Sequence, residues 1–449
     1  MNGHIDVRVH NKKTLEIKLE YSPTGNPDKS DYNIDLYLFI PDNMGINEET
    51  YEKRYFYHDI SRIIRLKSPD YLLHNYYKRL KTFDTNCTMG IDHTGCEYQF
   101  KKFITGYRSM LRDSANNICG SSKPKEIEDL LKHVRKNRSI FRKLNKKYGD
   151  QHEMLALGDE FTSIVSNAYL VRLYERLGDV CDVEIINTIK SELKYRSKHY
   201  PQSVPGDDVQ NGLLINRYDY LKSYFYDVLS LKAKRKAGDK AIKNILYASA
   251  AGISMFVATV IAFWAQKKYG NFTLPFFVAL VVGYMFKDRI KDGFKSLLEK
   301  LAAPSIYDYI TLVYESTGKH AMGKTKERAR FVTRESVIDY VDFEIDKHAH
   351  ILHFNKKVHI NHKKINDFLD PEILGISDIM KLNINRFTSG LEEPLSLMYS
   401  VRDDSLERTF AEKVYDIELF IKVSAKGHTE LKRGVLTLSA SGIKNFRIV

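Results

Sequence analysis

Cysteine is scarce in this chain: four in 449 residues, Cys87, Cys96, Cys119 and Cys181, all in the N-terminal half. They lack the dense spacing that staples a small secreted domain, which excludes a disulfide scaffold and fits a reducing compartment. The first residues, Met1 to Asp6, hold no apolar leader core, so any membrane-targeting element is expected to be internal. Catalytic signatures are missing as well. No nucleophile elbow, zinc-protease helix or paired-glycine dinucleotide loop occurs, and no motif names a family. The expectation leans away from an enzyme, and no cofactor is expected.

Charge is missing from two long stretches. Asn244 to Gln266 carries no charged side chain, and as a helix Ile245 to Gln266 would be about 33 Å long, enough to cross the hydrocarbon of a bilayer. A second uncharged run, Tyr269 to Phe286, would reach about 27 Å. Between them Gly270 and Asn271 offer turn chemistry, with Thr273 as N-cap and Pro275 in the first turn. Trp264, Tyr269 and Tyr284 stand near the ends, as interfacial aromatics do. Six basic residues from Lys232 to Lys243 precede the first run, five from Lys287 to Lys300 follow the second, and only Lys267 and Lys268 lie between. The prediction is a two-helix transmembrane hairpin, a multi-pass membrane protein with both termini cytoplasmic.

Neither run contains an ionisable residue of the kind that marks an ion or proton path, which argues against a transporter. Small residues recur at four-residue spacing instead: Ala250, Ser254, Ala258 and Ala262 on the first run, Ala279 and Gly283 on the second. Such a column lets two helix backbones approach closely, within the hairpin or between copies in a homo-oligomer.

What is abundant is basic and apolar. A hydrophobic content of 43% and an aromatic content of 12% suffice for packed cores, and the formal charge of +13 calls for an acidic partner. Beside the lipid bilayer itself, an anionic lipid or an acidic protein is expected ahead of nucleic acid. Tyr32, Ile34, Leu36, Leu38 and Ile40 alternate as a half-buried strand, and Tyr415, Ile417, Leu419 and Ile421 repeat the pattern. Leu157, Phe161, Ile164, Val165, Ala168 and Leu173 follow helical spacing. These periods divide the chain into a strand-rich region 1–96, a helical region 97–243 leading to the membrane, the hairpin 244–286, an amphipathic stalk helix 287–303 and a β-rich region 304–449. The fold class is α+β, with the hairpin between a mixed strand and helix N-terminal region and a β-rich C-terminal one.

Three motifs carry chemistry. Gly318, Gly323, Lys324 and Thr325 have the spacing of a nucleotide-binding P-loop, but Lys326, Glu327, Arg328 and Arg330 follow where an apolar helix face should be. A β-hairpin, with strands at Tyr309 to Glu315 and up to Phe331, is the preferred reading. His348, His350 and His353 are candidate metal ligands, with His348 and His350 sharing a strand face, and no cysteine or acid is spaced to complete the set; a solvated edge is the alternative. Lys132, Arg135, Lys136, Arg138, Arg142 and Lys143 lie in a segment without acids, a basic face for anionic surfaces or simply a solvated one. The functional expectation is a membrane-anchored, cytosol-facing binding or scaffold protein. A membrane-perturbing effector with an oligomerising hairpin and an unrecognised enzyme or nucleotide-binding protein are the alternatives.

Overall fold

The computed structural model describes residues 4–21, 29–88, 93–118, 124–149, 152–177, 182–238, 240–270, 273–302, 306–316, 318–337, 348–368, 375–392, 395–402, 405–425 and 428–449. In chain order the elements are β1 (His4–Asn11), β2 (Thr14–Tyr21), β3 (Lys29–Ile40), α1 (Lys53–Asp59), β4 (Ile60–Leu66), α2 (Leu73–Thr88), α3 (His93–Asn117), α4 (Pro124–Tyr148), α5 (Glu153–Leu177), α6 (Asp182–His199), α7 (Asp208–Tyr226), β5 (Lys232–Ala237), α8 (Lys240–Tyr269) and α9 (Leu274–Ala302). There follow β6 (Tyr309–Tyr314), β7 (Ala321–Val332), β8 (His350–Asn361), α10 (His362–Phe368), β9 (Ile376–Asn383), α11 (Asn385–Thr388), β10 (Leu395–Arg402), β11 (Ser405–Glu412), β12 (Tyr415–Ala425), β13 (His428–Ser439) and β14 (Gly442–Ile448). The chain is mixed helix and sheet, and it divides into two compact units.

The first unit comprises Met1–Ile64, Lys232–Phe368 and Asp378–Val449. Its main sheet has eight strands in the order β14-β13-β12-β3-β8-β7-β6-β5. The strand from the N-terminal region lies inside it, because β3 pairs antiparallel with β12 on one side and β8 on the other. Tyr32–Leu38 and Tyr415–Ile421, which share a pattern in the sequence, are thus neighbours, with Leu36 opposite Ile421 and Leu38 opposite Leu419. Alternation then sorts the faces. Ile34, Leu36, Leu38, Phe354, Leu419 and Ile421 are buried on one side. A second sheet, β1-β2-β9-β4, covers that side; the Tyr21 and Tyr32 rings meet at 4.2 Å and Lys356 Nζ lies 2.5 Å from Asp378 Oδ2.

The second unit, Arg65–Leu231 with Leu369–Ser377, is a helical assembly. Helix α5 packs against α3, α4, α6 and α7, and from Met154 to Asn167 every residue is buried or half-buried, so its apolar residues form no single stripe there. Phe100, Tyr107, Phe141, Phe161 and Phe225 fill the core.

Several expected boundaries move. Region 1–96 is not purely strand-rich, because Tyr76, Leu80 and Phe83 recur at helical spacing and are buried on α2. The stretch leading into α8 is not helical either: Lys232–Ala237 is an exposed edge strand paired with β6. The stalk is, as far as Ala302, the second half of α9, while Ala303 and Asn271 lie outside the described residues.

The two apolar runs form packed antiparallel helices. A Cβ placed on Gly283 would stand 3.3 Å from Ile261 Cγ2, and Lys295 Nζ sits 4.4 Å from the Tyr247 ring centroid. Among the described residues, one helix is long and apolar enough to cross a membrane by length and composition, Lys243–Tyr269. The second run falls short of its expected length. Its helix begins at Leu274, so the uncharged portion to Phe286 rises only about 20 Å against about 30 Å of hydrocarbon.

Candidate functional site

In the first unit, the face of the eight-stranded sheet turned away from the second sheet is basic because β7 alternates. Lys324, Lys326, Arg328 and Arg330 project to that side, while Thr325, Glu327 and Ala329 are buried on the other. Register places Lys324, His359 and Asp31 in one row across β7, β8 and β3. The next row is Lys326, Lys357, Asn33 and, on β12, Ser424. These two rows line a groove of about 730 Å³. Lys326 Nζ and Lys357 Nζ lie 5.2 and 5.8 Å from the centroid of the Tyr307 ring, and the Arg328 guanidinium lies 6.0 Å from it. Among the described residues no carboxylate comes within ion-pair distance of Lys324, Lys326 or Lys357, whereas Asp31 Oδ1 is held by His359 Nδ1 at 2.5 Å. The groove walls are mostly apolar, and Tyr32, Val358 and Ala425 line it beside the lysines.

Further along the same face the charges are neutralised. His353 bonds Asp35 through Nε2 at 2.8 Å and stacks on Tyr37 with ring centroids 4.3 Å apart. Burial alone would push the Asp35 carboxyl up, but hydrogen bonds from His353 and Asn355 hold it below the ordinary aspartate value. Beyond them Tyr37, Phe39, Ile351 and Phe420 pack with Val337 and close that end of the face.

The P-loop spacing does not build a P-loop. Gly323, Lys324 and Thr325 lie inside β7, where the strand is laddered to β6 and β8, so their backbone amides form no phosphate cradle. Gly318 sits in the preceding turn with φ +82°, and Gly323 is required because a Cβ there would stand 2.7 Å from the His359 carbonyl oxygen. Strands Tyr309–Tyr314 and Ala321–Val332 are the two arms of that hairpin.

The histidines do not assemble a metal centre among the described residues. His350 bonds Asp42 at 2.9 Å, His353 bonds Asp35, and His348 is exposed in the turn before β8. Alternation puts His350 and His353 on opposite faces of β8.

In the second unit the basic segment on α4 divides in two. Lys132, Arg135, Lys136 and Lys143 are exposed, with Lys136 Nζ 3.5 Å from the Tyr77 ring centroid and Arg135 bonded to Thr188. Arg138 points inward and is 1% exposed: its Nη2 meets Asp159 Oδ1 at 2.7 Å and its Nε meets Glu192 Oε2 at 3.1 Å. Arg142 is half-buried and donates to Glu192 Oε1 at 2.5 Å. Arg138 is therefore withdrawn from any anionic surface, and Arg142 is largely spent on Glu192. The segment has no acid of its own; the acids come from α5 and α6.

Sequence reading missed that buried network. Tyr195 and Tyr200 donate to Asp159 Oδ2 at 2.7 and 3.0 Å, Ser163 donates to Glu192, and Arg217 holds Glu160. Burial would push Glu192 up, but Arg138, the Ser163 hydroxyl and Arg142 hold it below the ordinary glutamate value. Burial lowers Arg196 to about 10. Every one of these carboxylates is paired, so the cluster reads as a satisfied internal network. The groove was missed too, although the alternating lysines and arginines of β7 signal it.

In the helical hairpin Ala250 and Ser254 are buried, Ala258, Ala262 and Ala279 are half-buried, and Gly283 is covered by Ile261. Of these, Gly283 lies at the contact between α8 and α9.

No protein-family model, curated protein or solved structure matches this chain.

Proposed function

We propose that this chain is a membrane-anchored binding or scaffold protein, held by the α8–α9 hairpin with both soluble ends on the cytosolic side. The observation that carries this reading is the bare apolar surface of the hairpin. Within its most apolar window, 11% of α8 is buried, and Met255, Phe256, Phe263 and Trp264 are exposed. Phe277, Val278, Val282, Met285 and Phe286 are exposed on α9. Leaving such side chains in water costs about 2 kcal/mol apiece, a sum that a bilayer removes. Aromatic and lysine pairs bracket the surface. Lys295 covers Tyr247 at the base, and Lys268 lies 4.9 Å from the Trp264 ring centroid and 5.5 Å from that of Tyr269 at the tip. Tyr247 to Tyr269 rises about 33 Å along the helix, close to a hydrocarbon thickness. The basic residues flanking both ends of the hairpin favour the cytosolic placement.

One observation favours a second insertion geometry. Lys287, Asp288 and Arg289 lie one turn beyond Gly283, level with the middle of α8, so the second arm is apolar only near the tip. A hairpin that enters from one face without emerging from the other would suit this arm, whereas full crossing requires Lys287 and Arg289 to snorkel. Both geometries return the chain to the side it came from. Alkaline extraction of membranes tests the anchor, and release of the protein into the supernatant overturns it. Labelling of a Lys268→Cys variant with an impermeant maleimide separates the geometries, since the tip is reached from the far side only if the hairpin crosses.

A further inference from the structure

We infer that the basic groove on the open sheet face is a binding site for a phosphomonoester, with an anionic lipid headgroup as its source. Antiparallel register sets Lys326 directly opposite Lys357, an arrangement that disfavours the folded state when both carry charge and nothing lies between them. Three buried or half-buried cations elsewhere in this unit meet carboxylates: Lys356 meets Asp378, Arg62 meets Glu327 and Arg433 meets Glu418. The groove lysines differ from these. Lys324, Lys326 and Lys357 have no carboxylate within ion-pair distance among the described residues, and Tyr307 gathers the last two ammonium groups over one ring.

The charge balance selects the ligand. Three ammonium groups and the single Asp31 carboxylate leave the site with an excess of two positive charges, which matches a phosphomonoester at neutral pH, about −1.5 to −2, better than the single charge of a diester. A volume of about 730 Å³ falls in the range of small-molecule sites and exceeds what a bare phosphate fills. The apolar walls would pack against an organic moiety. Position favours a lipid, and this part rests on the membrane reading above. Tyr307 is five residues beyond the end of α9, and β5, which carries Lys232, Lys234 and Lys236 on the same sheet face, ends just before α8 begins.

The test uses the full chain purified in dodecyl maltoside micelles and three probes: dioctanoyl phosphatidic acid, glycerol 3-phosphate and dioctanoyl phosphatidylglycerol, a diester. Calorimetric titration should show phosphatidic acid binding, with phosphatidylglycerol weaker. Lys326→Gln with Lys357→Gln should weaken phosphatidic acid about tenfold or more, as loss of charge-assisted bonds does. Lys326→Arg with Lys357→Arg should restore most of it, and Lys136→Gln on the helical unit should change nothing. If the double Gln variant melts early, the exposed Lys357→Gln alone serves. Equal binding of glycerol 3-phosphate and phosphatidic acid would keep the phosphomonoester site and remove the lipid source. Equal affinity for the diester, or an unchanged Gln variant, overturns the proposal. Because glycerol 3-phosphate needs no bilayer, a protein that is released by alkali yet binds it through Lys326 and Lys357 would lose the anchor and keep the site. An alkali-resistant protein that binds no probe would keep the anchor and lose the site.

Discussion

Replacing Arg138 by Met gives the strongest test of the helical unit. The side chain is 1% exposed and is shared by Asp159 and Glu192, from two other helices. Removing it leaves two carboxylates buried with less compensation, and breaking a buried pair from one side costs roughly 3–5 kcal/mol. The lower end applies here, because Glu192 keeps Arg142 and Ser163 and Asp159 keeps the hydroxyls of Tyr195 and Tyr200. At roughly 2–4 °C per kcal/mol for a unit of this size, the melting temperature should fall by roughly 6–12 °C. The effect should also depend on pH. In the native protein Glu192 titrates below its ordinary value of 4.5, so its contribution is complete above that value and is lost as pH falls through the folded one. In the variant the burden reverses, since carboxylates left in a buried site without their cation take up protons more readily and gain stability on acidification. The gap between the two proteins should therefore narrow below about pH 5. Thermal unfolding of full-length protein, followed by hydrogen exchange in α5 peptides, reads both effects. Exposed Arg135→Met is the control, expected to cost less than about 1 kcal/mol. A loss at Arg138 no larger than the control, or a gap constant from pH 7 to 4, would refute the reasoning.

Other predictions follow from single contacts. Gly283→Leu should force α8 and α9 apart, since a Cβ alone already stands 3.3 Å from Ile261; the expected result is a lowered melting temperature in micelles, and an unchanged one would show that this contact is not tight. Gly442→Ala should destabilise the first unit by more than about 1 kcal/mol, because φ is +121° and the added Cβ would collide with the Lys12 carbonyl oxygen; urea unfolding checks it. Asp35 is held below the ordinary value, so its bonds to His353 and Asn355 contribute stability above about pH 4 that is lost on acidification. His353→Phe should keep the stacking on Tyr37 and shrink that acid-dependent term, read as a flatter melting profile between pH 5 and 3. In an acidic-liposome sedimentation assay, Gln at Lys132, Lys136 and Lys143 together should weaken any binding through α4, while Gln at Arg138 should lower stability instead.

Local periodicity was enough to read the strands Tyr32–Leu38 and Tyr415–Ile421, the helix through Leu157 and Phe161, the two packed apolar helices and the strand that dismisses the P-loop. Each depends on side chains a few residues apart, whose relation is set by the backbone repeat. What the sequence could not show is which distant segments meet. The N-terminal strand β3 lies between β8 and β12, partners more than 300 residues away, and nothing in its alternation names them. Arg138, in a segment rich in cations and free of acids, reads as surface until Asp159 and Glu192 arrive from other helices and bury it; composition is local and desolvation is not. The groove arises in the same way. Lys326 and Lys357 stand 31 positions apart, and only antiparallel register sets them face to face without a carboxylate. The chain's own pattern determined which face of β7 is basic, and tertiary pairing decided that this face gathers uncompensated charge, because cross-strand neighbours are chosen by the whole sheet and not by the strand.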